Sequence, residues 1–338
     1  MHRILVVGPS WIGDMVLAQP LFKLLHRRHP GLALDVFAPQ WTLPLLQRMP
    51  EVRHAIPNPF DHGDLKLIER RRLGAGLAAE GYDQAIVLPN SFKSALVPFF
   101  AGIPLRTGYL GELRWGLLND ARRLDERALP LMVERFAALA GAAGEPLERP
   151  LPPAHLKIDE NVRLAVLHKL ALEPRRPVVV LCPGAEYGPA KRWPAKHFAE
   201  LAQRLGSRGC EVWLVGSAKD AALGTEIAAL SGDSCLNLCG KTTLGEAVDL
   251  LAAAQLVISN DSGLMHVAAA LAKPLVALYG SSSPAFTPPL SRSARILKLD
   301  LPCSPCFERV CPLGHFNCMM QLTPERVLEA VDFDKIRS

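Results

Sequence analysis

No one sign of charge dominates this 338-residue chain: 38 Lys and Arg face 33 Asp and Glu, a formal net charge of +5. A balance so even argues against a dedicated nucleic-acid binder, which needs a basic excess to meet phosphates. Long apolar runs are missing too. The stretch 95–105 is uncharged but carries two prolines and a glycine, and it falls far short of the roughly 20 residues a bilayer span requires. The apolar start at residues 4–7 is interrupted by Pro9 and Asp14 with no convincing cleavage site behind it, so it does not read as a secretory leader. A cytoplasmic chain is expected, with any membrane contact peripheral.

Several chemical signatures are absent as well. The first loop, Gly8-Pro9-Ser10-Trp11-Ile12-Gly13-Asp14, lacks the second glycine of the dinucleotide fingerprint and the Lys-Ser or Lys-Thr of a P-loop. Gly240-Lys241-Thr242 ends like a P-loop, but Cys235 stands where the first glycine belongs. Nicotinamide and ATP-hydrolysing chemistry are disfavoured on both counts. An Asp-x-Asp pair behind a strand, common in metal-assisted sugar transfer, is also missing. The one such pair, Asp332-Phe333-Asp334, lies near the C-terminus and reads as a solvated helix end. Of eight cysteines, Cys182, Cys210, Cys235 and Cys239 are scattered, and a chain of this size needs no disulfide staples.

What is present is core-forming material: 49% hydrophobic and 21% charged residues exclude disorder, and the length suggests about two domains. Apolar runs at 4–7, 32–38 and 84–88 alternate with helix-length segments, the first of them at 15–25. That alternation predicts a parallel sheet covered by helices. Between 141 and 177 the pattern weakens and Pro146, Pro150, Pro152, Pro153 and Pro174 accumulate, which places a domain junction there. A second alternation follows, with strands at 178–181, 211–215, 256–259 and 275–279 and a helix at 194–205. The expected fold class is therefore α/β, with two Rossmann-like domains and a ligand favoured in the cleft between them. The boundaries are read at 1–170 and 175–322, with a C-terminal helix at 323–338 free to cross back to the first domain.

Three loops carry candidate chemistry, each at a strand's carboxyl end. Asp14 sits near the first helix start, where a carboxylate is either a general base or an ordinary partner of the helix dipole. Ser259-Asn260-Asp261-Ser262-Gly263-Leu264-Met265-His266 runs from a strand into a helix at 267–271, a position whose free N–H groups suit a diphosphate or a plain cap. The loop 183–194 ends in Lys191-Arg192-Trp193-Pro194, and its cations suit a leaving diphosphate or simply solvent. Cys303, Cys306, Cys311 and Cys318 form a dense cluster that reads either as a structural zinc site or as reduced thiols, structural or redox-sensitive.

Taken in order, several segments resemble the ADP-heptose:lipopolysaccharide heptosyltransferases over nearly the whole chain. They are GPSWIGDM at 8–15, LPNSFKSALVPFFAGIPLRTGY at 88–109, GLLND at 116–120, CPGAEYGPAKRWP at 182–194, GSAKD at 216–220, CGKTTL at 239–244 and NDSGLMHVAAAL at 260–271. The resemblance implies a GT-B enzyme, with an acceptor-binding first domain and a donor-binding second domain. It implies inverting transfer of L-glycero-D-manno-heptose from ADP-heptose onto the first heptose of a lipid A-Kdo-heptose acceptor at the inner leaflet. No cofactor or essential metal is expected in that reaction, and no nucleic-acid partner.

By the same resemblance Asp14 takes the acceptor's proton, Lys191 meets the donor diphosphate, and Asp261, Ser262, Gly263 and His266 form the donor turn. Asp220 matches an acidic donor-site position, while Tyr187 and Arg192 join by proximity. Phe92, Lys93 and Ser94 are expected on the acceptor side. Arg70, Arg71 and Arg72 either meet acidic groups of the acceptor or form a solvated helix face. Residues 96–100 read as core, with contact of Phe99 and Phe100 to the leaflet as the alternative. Rival readings are a related transferase adding the first or a later heptose, a nucleotide-sugar-binding module without catalysis, and a dehydrogenase that lacks its fingerprint.

Overall fold

The apolar runs become buried strands because both faces of a parallel sheet are covered. In a computed structural model, which describes residues 2–61 and 63–337, the chain divides into two compact units, 1–154 and 155–338. The first holds β1 (Arg3–Val7), β2 (Ala33–Pro39), β3 (His54–Asn58), β4 (Gln84–Val87), β5 (Leu105–Tyr109) and β6 (Asp120–Arg122) in one sheet, ordered β3-β2-β1-β4-β5-β6. Every pairing in it is parallel. Leu5, Val7, Phe37 and Val87 enter a core closed by Val97 and Ile103.

The second unit repeats the plan with β7 (Val178–Cys182), β8 (Glu211–Leu214), β9 (Leu236–Asn237), β10 (Leu256–Asn260), β11 (Leu275–Tyr279) and β12 (Ala294–Lys298). Its order, β9-β8-β7-β10-β11-β12, is the same 3-2-1-4-5-6 permutation, again all parallel. Both units thus have the doubly wound topology, with the order reversing beside the first strand of each. Helix Ala195–Gly206 turns Phe198, Leu201, Ala202 and Leu205 into the second core beside Val179 and Leu181.

Two boundaries differ from the sequence expectation. Helix Glu160–Lys169, capped by Asp159 through the amides of Asn161 and Val162, belongs to the second unit, where Lys169 bonds Glu246 at 2.6 Å. The division therefore falls before this helix rather than after it. The expected helix at 323–338 is two short ones, Pro324–Glu329 and Phe333–Arg337, and Val327, Leu328, Val331 and Ile336 are buried in the second core. Asp332 does not end a helix but precedes one, accepting from the Lys335 amide at 3.4 Å. No helix among the described residues is long and apolar enough to cross a membrane.

Candidate functional site

Where strand order reverses, the loops leaving the two neighbouring strands diverge and leave a crevice at their carboxyl ends. In the second unit those strands are β7 and β10. Buried Asn260, the last residue of β10, clamps both ends of the loop that leaves β7: its Nδ2 donates to the Pro183 carbonyl (2.7 Å) and its Oδ1 accepts from the Trp193 amide (3.1 Å). Trp193 is itself fully buried, with its indole N–H on the Leu322 carbonyl at 2.7 Å. Between these anchors the turn Pro189–Lys191 presents Lys191, whose Nζ donates to Asp261 Oδ2 at 2.6 Å. The Ser282 hydroxyl donates to the same oxygen. With Asp261 5% exposed and the lysine side chain 17%, this is a nearly desolvated pair at the crevice.

Helix Gly263–Ala270 starts beside it behind extended Ser262, whose side chain does not cap the helix but lies 3.1 Å from the Ser259 hydroxyl. The helix thus keeps first-turn N–H groups that Ser262 leaves uncapped, a positive dipole end near Lys191. His266, one turn in, is buried, and its Nδ1 has no partner among the described residues. Burial pushes its pKa down to about 4, the Asp261 charge opposing and Lys191 assisting. The ring is therefore neutral near pH 7.

Asp220 is engaged by its own turn. Its Oδ2 accepts from the Ser217 amide (2.9 Å) and hydroxyl (2.7 Å), closing the turn at 217–220. A Cβ on Gly184 would stand 2.5 Å from the same oxygen, so glycine is needed where the loop passes over this carboxylate. Tyr187 is half-buried, its ring 5.1 Å from Lys191 Nζ and its hydroxyl donating to the Phe307 carbonyl at 2.7 Å. Arg192 is exposed.

In the first unit the reversal lies between β1 and β4. Helix Ile12–Arg28 follows β1 behind Trp11, which supplies no side-chain cap, and half-buried Asp14 is the acidic residue of its first turn. The dipole at a helix start favours negative charge. Phe92, Lys93 and Ser94 follow β4, but Ser94 turns inward, its hydroxyl satisfied by the carbonyls of Pro89 and Ser91. Two arginines hold this loop. Arg114, fully buried, donates to the Pro89 carbonyl at 2.7 Å, to Asn90 Oδ1 at 3.2 Å and to the Tyr109 carbonyl. Burial brings its pKa down to about 10, so it stays a cation at neutral pH.

Arg70 is the second, and it corrects the reading of the arginine run. Its guanidinium is buried over the Phe60 ring at 4.0 Å and donates to the carbonyls of Leu65, Asp64 and Lys93. Arg71 and Arg72 are exposed. The run is therefore split between a structural cation and a solvated face. Nothing in the spacing of Arg114 marked it, because a buried arginine is recognised by the carbonyls it meets. Residues 96–98 are core, as patterning indicates, while Phe99 is exposed.

The profile of glycosyltransferase family 9 (heptosyltransferase) matches residues 70–317. Lipopolysaccharide heptosyltransferase 2 of Escherichia coli is 52% identical, over 98% of this chain and 97% of that protein. Its namesake from Salmonella typhimurium is 52% identical over 97% of each. The solved structure of E. coli ADP-heptose LPS heptosyltransferase II superposes with a TM-score of 0.88 at 49% identity, covering 99% of this chain and 98% of that one. With the profile spanning most of the chain and relatives this similar over their full length, the chain belongs to glycosyltransferase family 9, the heptosyltransferases.

Proposed function

We propose that this enzyme moves L-glycero-D-manno-heptose from ADP-heptose onto the first heptose of the lipopolysaccharide inner core, with inversion and without a metal in the transfer step. The observation that carries the reading is the nearly buried Lys191–Asp261 pair at the reversal point of the second unit, in a chain half identical to heptosyltransferase 2. Asp14 takes the proton of the acceptor hydroxyl as its oxygen bonds the anomeric carbon, and the bond from that carbon to the ADP oxygen breaks. Lys191 and the start of helix Gly263–Ala270 receive the charge that the departing diphosphate gains. Asp261 and Ser282 act as positioning residues, fixing the ammonium while leaving it further donors. Neutral His266 packs behind them without adding a charge, and Asp220 holds the loop rather than the donor.

The acceptor is lipid-linked, and one feature of the first unit fits it. Either side of buried Arg114, Leu113 is 79% and Trp115 69% exposed, an apolar pair beside the loop that follows β4. We assign it to peripheral contact with the cytoplasmic face of the inner membrane. Loss of anionic-vesicle binding in a Leu113→Ser/Trp115→Ser variant is the expected result; unchanged binding would remove that assignment. The function is tested by transfer to Kdo-lipid A with and without one heptose, chelator present. Product on the heptosylated acceptor alone is expected. Product on the heptose-free acceptor alone would make this the first-heptose enzyme, and binding of ADP-heptose without product on either would replace the reading with a later acceptor or a binding module.

A further inference from the structure

None of the residues assigned to transfer comes from the segment 303–318, yet that segment is fastened to the loop bearing Lys191. The Ala190 amide donates to the Arg309 carbonyl at 3.0 Å, and Tyr187 bonds the Phe307 carbonyl. Gly188 has no room for a Cβ because the Arg309 carbonyl lies against it. On its other side, the Phe307 amide donates to the Ser281 carbonyl (2.7 Å) and the Ser304 hydroxyl to the Gly280 carbonyl (2.7 Å). Regular structure is confined to the short helix Asn317–Met320, and Cys303, Cys306 and Cys311 are only half-buried. Of this segment only Cys318 enters the second hydrophobic core.

The sulfurs share one small cavity. About 20 Å³ in volume, it is lined by Cys303, Cys306, Cys311, Cys318 and His315, together with Ser281. The Ser281 hydroxyl is buried and has no partner among the described residues. That volume suits one ion or water and no larger ligand. The backbone is folded around sulfur: the Phe316 amide donates to Cys311 Sγ at 3.4 Å, and the amides of Leu313, Gly314 and His315 face the same atom. Phe307, directly after Cys306, has φ +57°, with Gly314 at +72° and Phe316 at +52°. Left-handed aromatic residues are uncommon; the turn at Gly314 and Phe316 curls amides toward Cys311, the arrangement that stabilises thiolate. His315 is exposed and its Nδ1 accepts from the Asn317 amide at 3.0 Å, which leaves the four cysteines as the donor set.

We propose that Cys303, Cys306, Cys311 and Cys318 bind one thiophilic divalent ion, zinc or ferrous iron, in a structural site that ties segment 303–318 to the Lys191 loop. The sulfurs line the cavity, but as they stand no group of three or more His, Cys, Asp or Glu among the described residues is placed to hold a metal ion, so the thiols must move inward to bind one. On binding, the thiols close to metal–sulfur distances of about 2.3 Å and release their protons to solvent. Four sulfurs leave no open coordination position, so such an ion is separate from the transfer chemistry and compatible with transfer in a chelator.

The test is elemental analysis of the full chain, purified reduced and without chelator from medium containing both metals. About one equivalent of zinc or iron per chain is expected, with the analysis itself deciding which. Titrating the folded wild-type protein with an organomercurial should release that ion as four thiols react, and loading with Co²⁺ should give thiolate charge-transfer absorption. Cys306→Ser/Cys311→Ser should lose the ion. A metal-free wild-type chain with four reactive thiols or two disulfides would overturn the proposal, as would an ion retained in the double variant. The wild-type titration stands even where that variant fails to fold, and neither readout depends on transfer.

Discussion

The two units share one topology and put opposite charges at its reversal point. In the first, the residue near the helix start is a carboxylate, Asp14, and the cations Arg70 and Arg114 are buried behind the loop, tied to carbonyls. In the second, the helix start carries no acidic residue in its first turn, and a cation, Lys191, is held at the crevice by Asp261. In the mechanism we propose, the same strand order builds a site for taking up a proton and a site for receiving negative charge. What differs is which side chain each loop turns outward, and that is a matter of a few anchoring contacts.

The sharpest way to break this comparison is Asp14→Ala. Removing a general base costs about 10²–10⁴-fold in rate, so transfer should be nearly abolished while ADP affinity, measured by calorimetry, is largely kept. Full turnover in this variant would take Asp14 out of the mechanism. Next in size, Lys191→Ala removes a charge-assisted contact of about 1.5–3 kcal/mol, or roughly 10- to 100-fold in donor binding or turnover. Its kinetics with ADP-heptose should fall by that much, with Lys191→Arg recovering part; unchanged constants would leave the second site without its cation.

The last effect is on stability rather than on transfer, and it sharpens the contrast through pH. With a folded pKa of about 4 against 6.5 for an ordinary histidine, the unfolded chain binds the proton more readily than the folded one. Stability that is full above about 6.5 therefore declines as pH falls toward about 4, by up to about 3 kcal/mol. His266→Gln should flatten that part of the urea-midpoint profile for the second unit. A profile identical to wild type would mean that the ring is not held neutral.

Much of the plan was legible beforehand because parallel strands buried on both faces are continuous apolar runs: 4–7, 178–181 and 275–279 all became fully or largely buried strands. Edge strands were not legible. β9 has two residues and β12 is partly exposed, so neither carries a distinctive apolar run. At the site, Lys191 and Asp261 were both singled out, but their pairing joins residues 70 positions apart and follows from the reversal of strand order alone. Arg70 shows the opposite failure. A run of three arginines carries the pattern of a solvated face, and only the Phe60 ring and the Lys93 carbonyl, brought near by folding, make one of them structural.

Sequence by itself determined the class of fold, the division into two similar halves, the strand-to-helix turns that carry polar residues and the family to which the chain belongs. These depend on local composition and on the order of segments along the chain. Tertiary structure decided which polar side chains meet and which are withdrawn: Arg70 tied to the Lys93 carbonyl, Arg114 sealed behind Pro89 and Asn90, Lys191 fixed by Asp261 and Ser282. The physical reason is that a buried charge or hydroxyl is tolerated only where a partner lies within hydrogen-bonding distance, and the packing of distant segments chooses that partner.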